Sequence, residues 1–227
     1  MATTSARSGG WYGTTAGVAA PREWTASQAV KRGIDVVVAL VLLVAVTPLV
    51  AVLALVVRAT SPGPALFRQV RIGEGGRPFR LLKLRTMVDD AEQVLRHDPE
   101  LLDAYVANHF KVPPALDRRV TGFGRFLRRT SLDELPQLVN VLRGHMSLVG
   151  VRPVVPEELD LYGEAAALYQ RFKPGITGFW QVQGRSRLTG GDRIELDRYY
   201  FENWSLWLDL KILLLTPSAV VRCRGAH

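Results

Sequence analysis

One stretch of this chain departs from the mixed apolar and polar pattern around it. Val36 to Val57, about 22 residues, carries no charge, and a helix of about 20 apolar residues is enough to cross a bilayer. Inside it stands Thr47-Pro48. Proline removes a backbone donor and crowds the preceding turn, so a kink or break is predicted at Pro48. Each half then has about 10–12 residues, or about 15–18 Å at 1.5 Å per residue, which is about half of a 30 Å hydrocarbon core. Lys31 and Arg32 precede the run, and Arg58, Arg68 and Arg71 follow it. Basic residues favour the cytoplasmic side. With both flanks basic, a helix that enters, bends at Pro48 and returns fits better than a straight crossing or a buried soluble helix. The Thr47 hydroxyl can serve carbonyls freed by the proline. A cleaved leader is disfavoured, because about 30 residues precede the run and its length exceeds the apolar core of about 7–15 residues found in signal peptides.

The remainder alternates shorter patterns. Residues 1–30 are rich in Ala, Thr, Ser and Gly without a period and read as a flexible tail, in which Trp11, Tyr12 and Trp24 could touch an interface. After the turn Ser61-Pro62-Gly63-Pro64, Leu66 to Val70 reads as a strand. Gly73-Glu74-Gly75-Gly76 reads as a tight turn and Pro78 to Leu84 as the return strand, which makes a β-hairpin. Residues 88–105 have helical spacing, ended by Pro113-Pro114. A helix is predicted from about Asp133 to Leu142 and an amphipathic one from Glu157 to Phe172. Lys173 to Gly178 reads as a loop, and Ile194 to Leu215 as mostly helical. The expected fold class is α+β, mostly helical. It has three parts: the tail 1–30, a re-entrant membrane helix over 31–60, and a cytoplasmic or interfacial catalytic domain over 61–227 that contains the hairpin.

Charge changes this picture. The net charge is +8 and the pI about 10.1, so an anionic partner or surface is expected; nucleic acid, anionic lipid and phosphorylated substrates all qualify. Cys223 is the single cysteine, which rules out a disulfide within the chain, and the four histidines (His97, His109, His145, His227) are scattered, which argues against a zinc site.

Asp133 and Glu134 stand side by side in Arg128-Arg129-Thr130-Ser131-Leu132-Asp133-Glu134-Leu135-Pro136. Ser131 to Glu134 matches a helix capping box, a purely structural device. If Asp133 is instead the cap, Pro136 falls in the first turn, where its missing donor is harmless. On either reading both carboxylates lie at a helix N-terminus, an environment that favours anions. The cations in the same company, Lys83, Arg85, Arg128, Arg129, Arg143 and Arg152, make phosphate handling the better reading, since the guanidinium fork suits phosphate oxygens.

Together these residues resemble the bacterial sugar transferases, the monotopic polyprenol-phosphate phosphoglycosyl transferases. The resemblance runs from Lys31 to Thr216. It rests on Lys31-Arg32…Asp35, Gln69 to Gly73, Lys83 to Met87, Leu127 to Leu138, Met146 to Gly150, Lys173 to Gly178, Trp180-Gln181-Val182 and Trp204 to Asp209. It implies that Asp133-Glu134 is the catalytic dyad, that Arg128 and Arg152 hold phosphate, and that Asp197 occupies a later acidic position of the family. Lys83 and Arg85 complete the expected phosphate-binding set. Two departures stand out. Val151 replaces the first proline of a Pro-Arg-Pro motif around Arg152, and His145 replaces the aspartate of Gly-Asp-Met-Ser.

The resemblance further implies a two-step exchange. Asp133 attacks the sugar-linked phosphorus of a UDP-sugar, UMP leaves, and a polyprenyl (undecaprenyl) phosphate takes the phosphosugar from the aspartate. Mg2+ on Asp133 and Glu134 would lower the repulsion between carboxylate and diphosphate. The expected place is the cytoplasmic face of the bacterial inner membrane, at the first membrane step of surface polysaccharide or glycoconjugate assembly. No nucleic acid partner is expected, because a basic binding module leaves the acidic dyad unexplained. A homodimer stays open. The chain resembles the catalytic part of larger relatives, without their several-helix N-terminal membrane domain.

Overall fold

The computed structural model describes residues 26–108, 112–113, 115–184 and 190–222. Residues 1–25 of the expected tail, with Trp11, Tyr12 and Trp24, lie outside that range, as do His109, Pro114, Cys223 and His227. The rest of the expected tail is helical: α1 spans Ala26–Thr60, 35 residues.

α1 continues through Pro48, so the break predicted there is not seen. Two causes support the continuity. Proline removes one donor only, and the Thr47 hydroxyl donates to Leu43 O at 2.6 Å, adding a donor one residue earlier. In addition, both halves of the helix are held by the same domain. Near its start Ala39 is fully buried in the main core, with Val38, Leu43 and Val46 against it. Near its end Leu53 and Val57 pack with Leu84 and Leu127. Val37, Val41, Val44, Val52 and Leu55 remain exposed.

The hairpin forms as predicted, slightly longer. β1 (Leu66–Ile72) pairs antiparallel with β2 (Pro78–Leu84), Phe67 opposite Lys83. A second, two-stranded parallel sheet pairs β3 (Ser147–Val149) with β4 (Gly175–Thr177), the latter inside the segment Lys173 to Gly178 expected as a loop. Its chains approach so closely that a Cβ on Gly175 would lie 2.1 Å from Gly150 N.

Several predicted helices are divided. The region 88–105 is α2 (Ala91–His97) and α3 (Pro99–Ala107), with the Asp98 side chain capping α3 by accepting from Leu101 N. Pro99 forces that boundary, since the residue before a proline avoids the helical region. α4 (Gly122–Thr130) was not anticipated; Thr121 caps it through Gly124 N. α5 covers Gln137–Leu142. The expected helix 157–172 becomes α6 (Pro156–Leu159), a turn of 3₁₀ helix and α7 (Ala165–Tyr169), separated at Gly163, whose φ of 49° ends regular helix. After α8 (Phe179–Gln183), the C-terminal region divides at Asn203–Ser205 into α9 (Gly190–Glu202) and α10 (Leu206–Arg222). The main core gathers Leu81, Val141, Met146, Val149, Tyr169, Tyr200 and Ile212, among others, between α1, the hairpin and α10.

Candidate active site

The dyad sits where α4 gives way to α5. Ser131 adopts a left-handed conformation, φ 58°, the only non-glycine with positive φ among the described residues. It closes α4 by donating its N–H to Arg128 O. Such a conformation costs a non-glycine residue about 1–3 kcal/mol and persists where the surroundings over-determine it. Leu132–Glu134 then form a single turn of 3₁₀ helix, and α5 starts only at Gln137. The capping box is therefore not formed: Ser131 makes no side-chain cap bond, and Glu134 reaches Lys83 instead. The dyad precedes α5 and is not its first turn.

β2 brings Lys83 onto this turn. Its Nζ lies 2.7 Å from Glu134 Oε1 and 3.7 Å from Asp133 Oδ2. Asn140 fixes the strand against α5. Its Nδ2 donates to Arg80 O at 2.8 Å and its Oδ1 accepts from Leu82 N at 3.0 Å, so one buried side chain stands in for a neighbouring strand. A polar Asn between Val139 and Val141, in a mostly apolar helix, was the sequence signal for it.

α4 supplies Arg128. Its Nε donates to the Thr86 hydroxyl at 2.9 Å, and its guanidinium is 3.9 Å from Asp117. Asp117 is itself held by Arg119 through two bonds, 2.7 and 2.9 Å. Gly124 permits this approach, because a Cβ there would lie 2.0 Å from Thr86 O. Burial pulls the Arg128 pKa down, offset in part by Asp117 and Asp133 and reinforced by the like charges of Arg119 and Arg152. Arg152 thus acts on the same electrostatic neighbourhood. Its loop is tied at each step: Arg152 O and Val154 N meet the Tyr169 hydroxyl, Pro153 O accepts from Arg71, and Val154 O accepts from Ile72 N. Val151, the departure from Pro-Arg-Pro, is buried in the core and accepts from Gly175 N at 2.7 Å. His145 is exposed beside the Phe79 ring.

Asp133 is 6 % exposed. Burial raises its pKa above the ordinary carboxylate value; Lys83 opposes this, Glu134 adds to it, and Arg128 and a backbone hydrogen bond oppose it. The result is a desolvated carboxylate with cations near it but not in full contact, which is a suitable state for a nucleophile.

Two expected site residues lie elsewhere. The Arg85 guanidinium donates to Pro62 O and to Ser61 O and lies 3.6 Å from Asp89, tying down the turn between α1 and β1. Asp197 is 1 % exposed and accepts from the Tyr162 hydroxyl at 2.7 Å. It belongs to an interior network in which Arg193 pairs with Glu158 at 2.6 Å and Glu158 faces Arg71 at 3.8 Å. Burial and the Asp197 carboxylate push the Tyr162 hydroxyl well up, so it remains a donor. Both residues spend charge on interior partners, and spacing alone does not reveal such pairing. Among the described residues no group of three or more metal-ligating side chains converges.

Comparison with known proteins fits this geometry. The model for the family described as bacterial sugar transferase matches residues 26–223. The chain belongs to that family. The Rhizobium meliloti exopolysaccharide production protein ExoY is 42 % identical over 201 residues, covering 87 % of this chain and 88 % of the relative. The Caulobacter vibrioides UDP-glucose:undecaprenyl-phosphate glucose-1-phosphate transferase is 44 % identical over 209 residues, 87 % of this chain and 72 % of that protein. The Salmonella typhimurium undecaprenyl-phosphate galactose phosphotransferase is 42 % identical over 205 residues, 88 % of this chain but 42 % of its own length. As a member of the bacterial sugar transferase family, this chain is a sugar-transferring enzyme, and the dyad cluster is its candidate active site.

Proposed function

We propose that the chain transfers a sugar-1-phosphate from a UDP-sugar to a polyprenyl phosphate and releases UMP, through a covalent phosphosugar on Asp133. The observation that carries this reading is the burial of Asp133 beside Lys83 and Arg128. In the first step an Asp133 oxygen attacks the sugar-linked phosphorus, the bond from that phosphorus to the bridging oxygen breaks, and UMP departs with that oxygen. In the second a polyprenyl phosphate oxygen attacks the same phosphorus and the Asp133 carboxylate is restored. The product is polyprenyl diphosphate sugar. Covalent catalysis divides a transfer between a water-soluble donor and a lipid-borne acceptor into two steps.

Lys83 keeps Glu134 in place and favours the ionised form of Asp133. Arg128, set by Thr86 and Asp117, and Arg152, set by its tied loop, hold phosphate oxygens. A bound Mg2+ is compatible with the donor set, since this ion commonly takes one or two carboxylates together with substrate phosphates. Asp133 and Glu134 would hold it, and it would supply charge neutralisation between carboxylate and diphosphate.

α1 lies in the cytoplasmic leaflet on this reading. Both of its halves contact the same domain, a geometry suited to a helix embedded along one face and unsuited to a straight crossing. The exposed valines and leucines of α1 then meet lipid, which brings the dyad near the lipid acceptor. Two of the relatives above are named for transfer involving undecaprenyl phosphate and the third for exopolysaccharide production, which supports the same reaction class and a role in polysaccharide assembly.

The test is UMP release from a panel of UDP-sugars in the presence of polyprenyl phosphate, together with intact mass of rapidly quenched enzyme. A mass increase of one sugar phosphate, absent in Asp133→Asn, is expected. Turnover without any adduct under conditions that favour its accumulation would instead establish direct transfer.

A further inference from the structure

One face of the hairpin grades from apolar to cationic. Side chains alternate along a strand, so Phe67, Gln69 and Arg71 of β1 share that face. Gln69 Oε1 accepts from Arg71 Nη2 at 2.6 Å, and Arg71 Nη1 reaches Pro153 O at 3.1 Å, beside Arg152. That end of the row borders the phosphate-holding side of the site. The other end is a phenyl ring. Phe67 stands opposite Lys83 in the register, and directly opposed residues of an antiparallel pair project to the same side with Cβ atoms about 4.5–5.5 Å apart. Phe67 therefore flanks the lysine that lies 2.7 Å from Glu134 and 3.7 Å from Asp133.

Packing does not account for the ring. On the same face of β2, Leu81 opposite Gln69 and Phe79 opposite Arg71 are buried in the main core, whereas Phe67 is 45 % exposed. The row leaves the interior at Phe67. Its other connection is to α1. Ala65, two residues before Phe67, and Leu132, the residue before Asp133, both pack on the cluster of Leu53, Val57, Leu84 and Leu127. The end of α1, the start of β1 and the dyad turn thus share one apolar cluster. Exposed apolar side chains stand on both sides of it, Val52 and Leu55 on α1 and Leu66 and Phe67 on β1.

The two proposed substrates differ in what they need from such a surface. A UDP-sugar surrounds its phosphates with hydroxyls and a polar base. A polyprenyl phosphate carries its phosphate directly on hydrocarbon. With that phosphate at the dyad, the hydrocarbon beside it has to leave over apolar surface that leads toward α1, and burial of such groups is favourable. We infer that Phe67 is a specificity-determining residue for the acceptor, its ring taking the first isoprene units of the polyprenyl phosphate while the phosphate faces Asp133. The identity of the acceptor rests on the proposed function; the place of the ring beside Lys83 does not.

The test compares Phe67→Ala and Phe67→Leu with the unmodified full-length enzyme in detergent, with farnesyl phosphate as acceptor and the UDP-sugar that releases most UMP as donor. At saturating donor, Phe67→Ala should lower kcat/KM for farnesyl phosphate by about tenfold or more, and Phe67→Leu, which keeps an apolar side chain, by less than about threefold. At saturating acceptor, kcat/KM for the UDP-sugar should stay within about twofold in both variants, which also reports an intact fold. An unchanged value for farnesyl phosphate overturns the inference. An equal or larger loss toward the UDP-sugar also overturns it and gives the ring to the donor, whose uracil would stack there. A loss seen only with undecaprenyl phosphate in vesicles, and absent with farnesyl phosphate in detergent, overturns it as well, because the ring would then do no more than seat the protein in the bilayer. The substrate split holds with or without a covalent intermediate. Failure of the reaction class itself is read from the unmodified enzyme, as absence of UMP release, and failure of the Phe67 assignment from the variants.

Discussion

Two buried carboxylates in this molecule have similar neighbours and opposite behaviour. Glu158 is 3 % exposed and Asp133 6 %. Glu158 has Arg193 at 2.6 Å and Arg71 at 3.8 Å. Burial alone would raise its pKa, but Arg193, Arg152, the hydrogen bond from Arg193 and Arg71 together hold it below the usual value. Asp133 has Lys83 at 3.7 Å, a lysine more closely engaged by Glu134, and burial prevails, so its pKa is raised. Cations over-compensate the burial of Glu158 and under-compensate that of Asp133, the carboxylate proposed as the nucleophile.

The difference has a thermodynamic sign. Glu158, with its folded pKa lowered, stabilises the fold fully above its unfolded pKa, and that stabilisation is lost as pH falls through the folded value. Asp133, with its folded pKa raised, favours the folded state at low pH, and that contribution is lost as pH rises through the folded value.

Substitutions at the two carboxylates should therefore part company. Asp133→Asn should lower UMP release by at least about 10³-fold while its melting temperature at pH 7 stays equal to or above that of the unmodified enzyme; a lower melting temperature would erase the contrast. Glu158→Gln should do the reverse, costing about 3–5 kcal/mol of stability because Arg193 is left buried without its counter-charge, as read by thermal unfolding. Asn140→Leu, which keeps the volume but orphans Arg80 O and Leu82 N, should cost about 1–3 kcal/mol per unsatisfied group and should reduce turnover by loosening Lys83. The smallest effect sharpens the comparison most. Lys83→Met removes a charge that lowers the Asp133 pKa, so the acidic limb of the pH–rate profile should move to higher pH; an unmoved limb would mean that Lys83 does not govern the ionisation of Asp133.

Much of this was legible in the chain. The hairpin followed from Gly73–Gly76 between two apolar stretches, and the dyad from two carboxylates among arginines. Helix boundaries were less so. Pro99 and Gly163 divided patterns that looked continuous, while Pro48 failed to divide one, because contacts on both sides of it outweigh a single lost donor. β3 and β4 are three residues each, too short to show an alternation. Arg85 and Asp197 look like Lys83 and Asp133 in sequence, and only the surrounding carbonyls and hydroxyls show that their charges are already committed. Asp117, Thr86 and Tyr169 act through Arg128 and the Arg152 loop, and such indirect roles leave no spacing to read.

The Asn140 amide also bears on solubility. A two-stranded ribbon has two free margins, each able to recruit a strand from another molecule. In this protein Asn140 covers part of the β2 margin, and the bond from Ile72 N to Val154 O covers the end of the other. On the proposed placement of α1, the enzyme is concentrated in two dimensions along a bilayer and meets its own copies often, and these covers deprive its ribbon of places where chains could join into fibres.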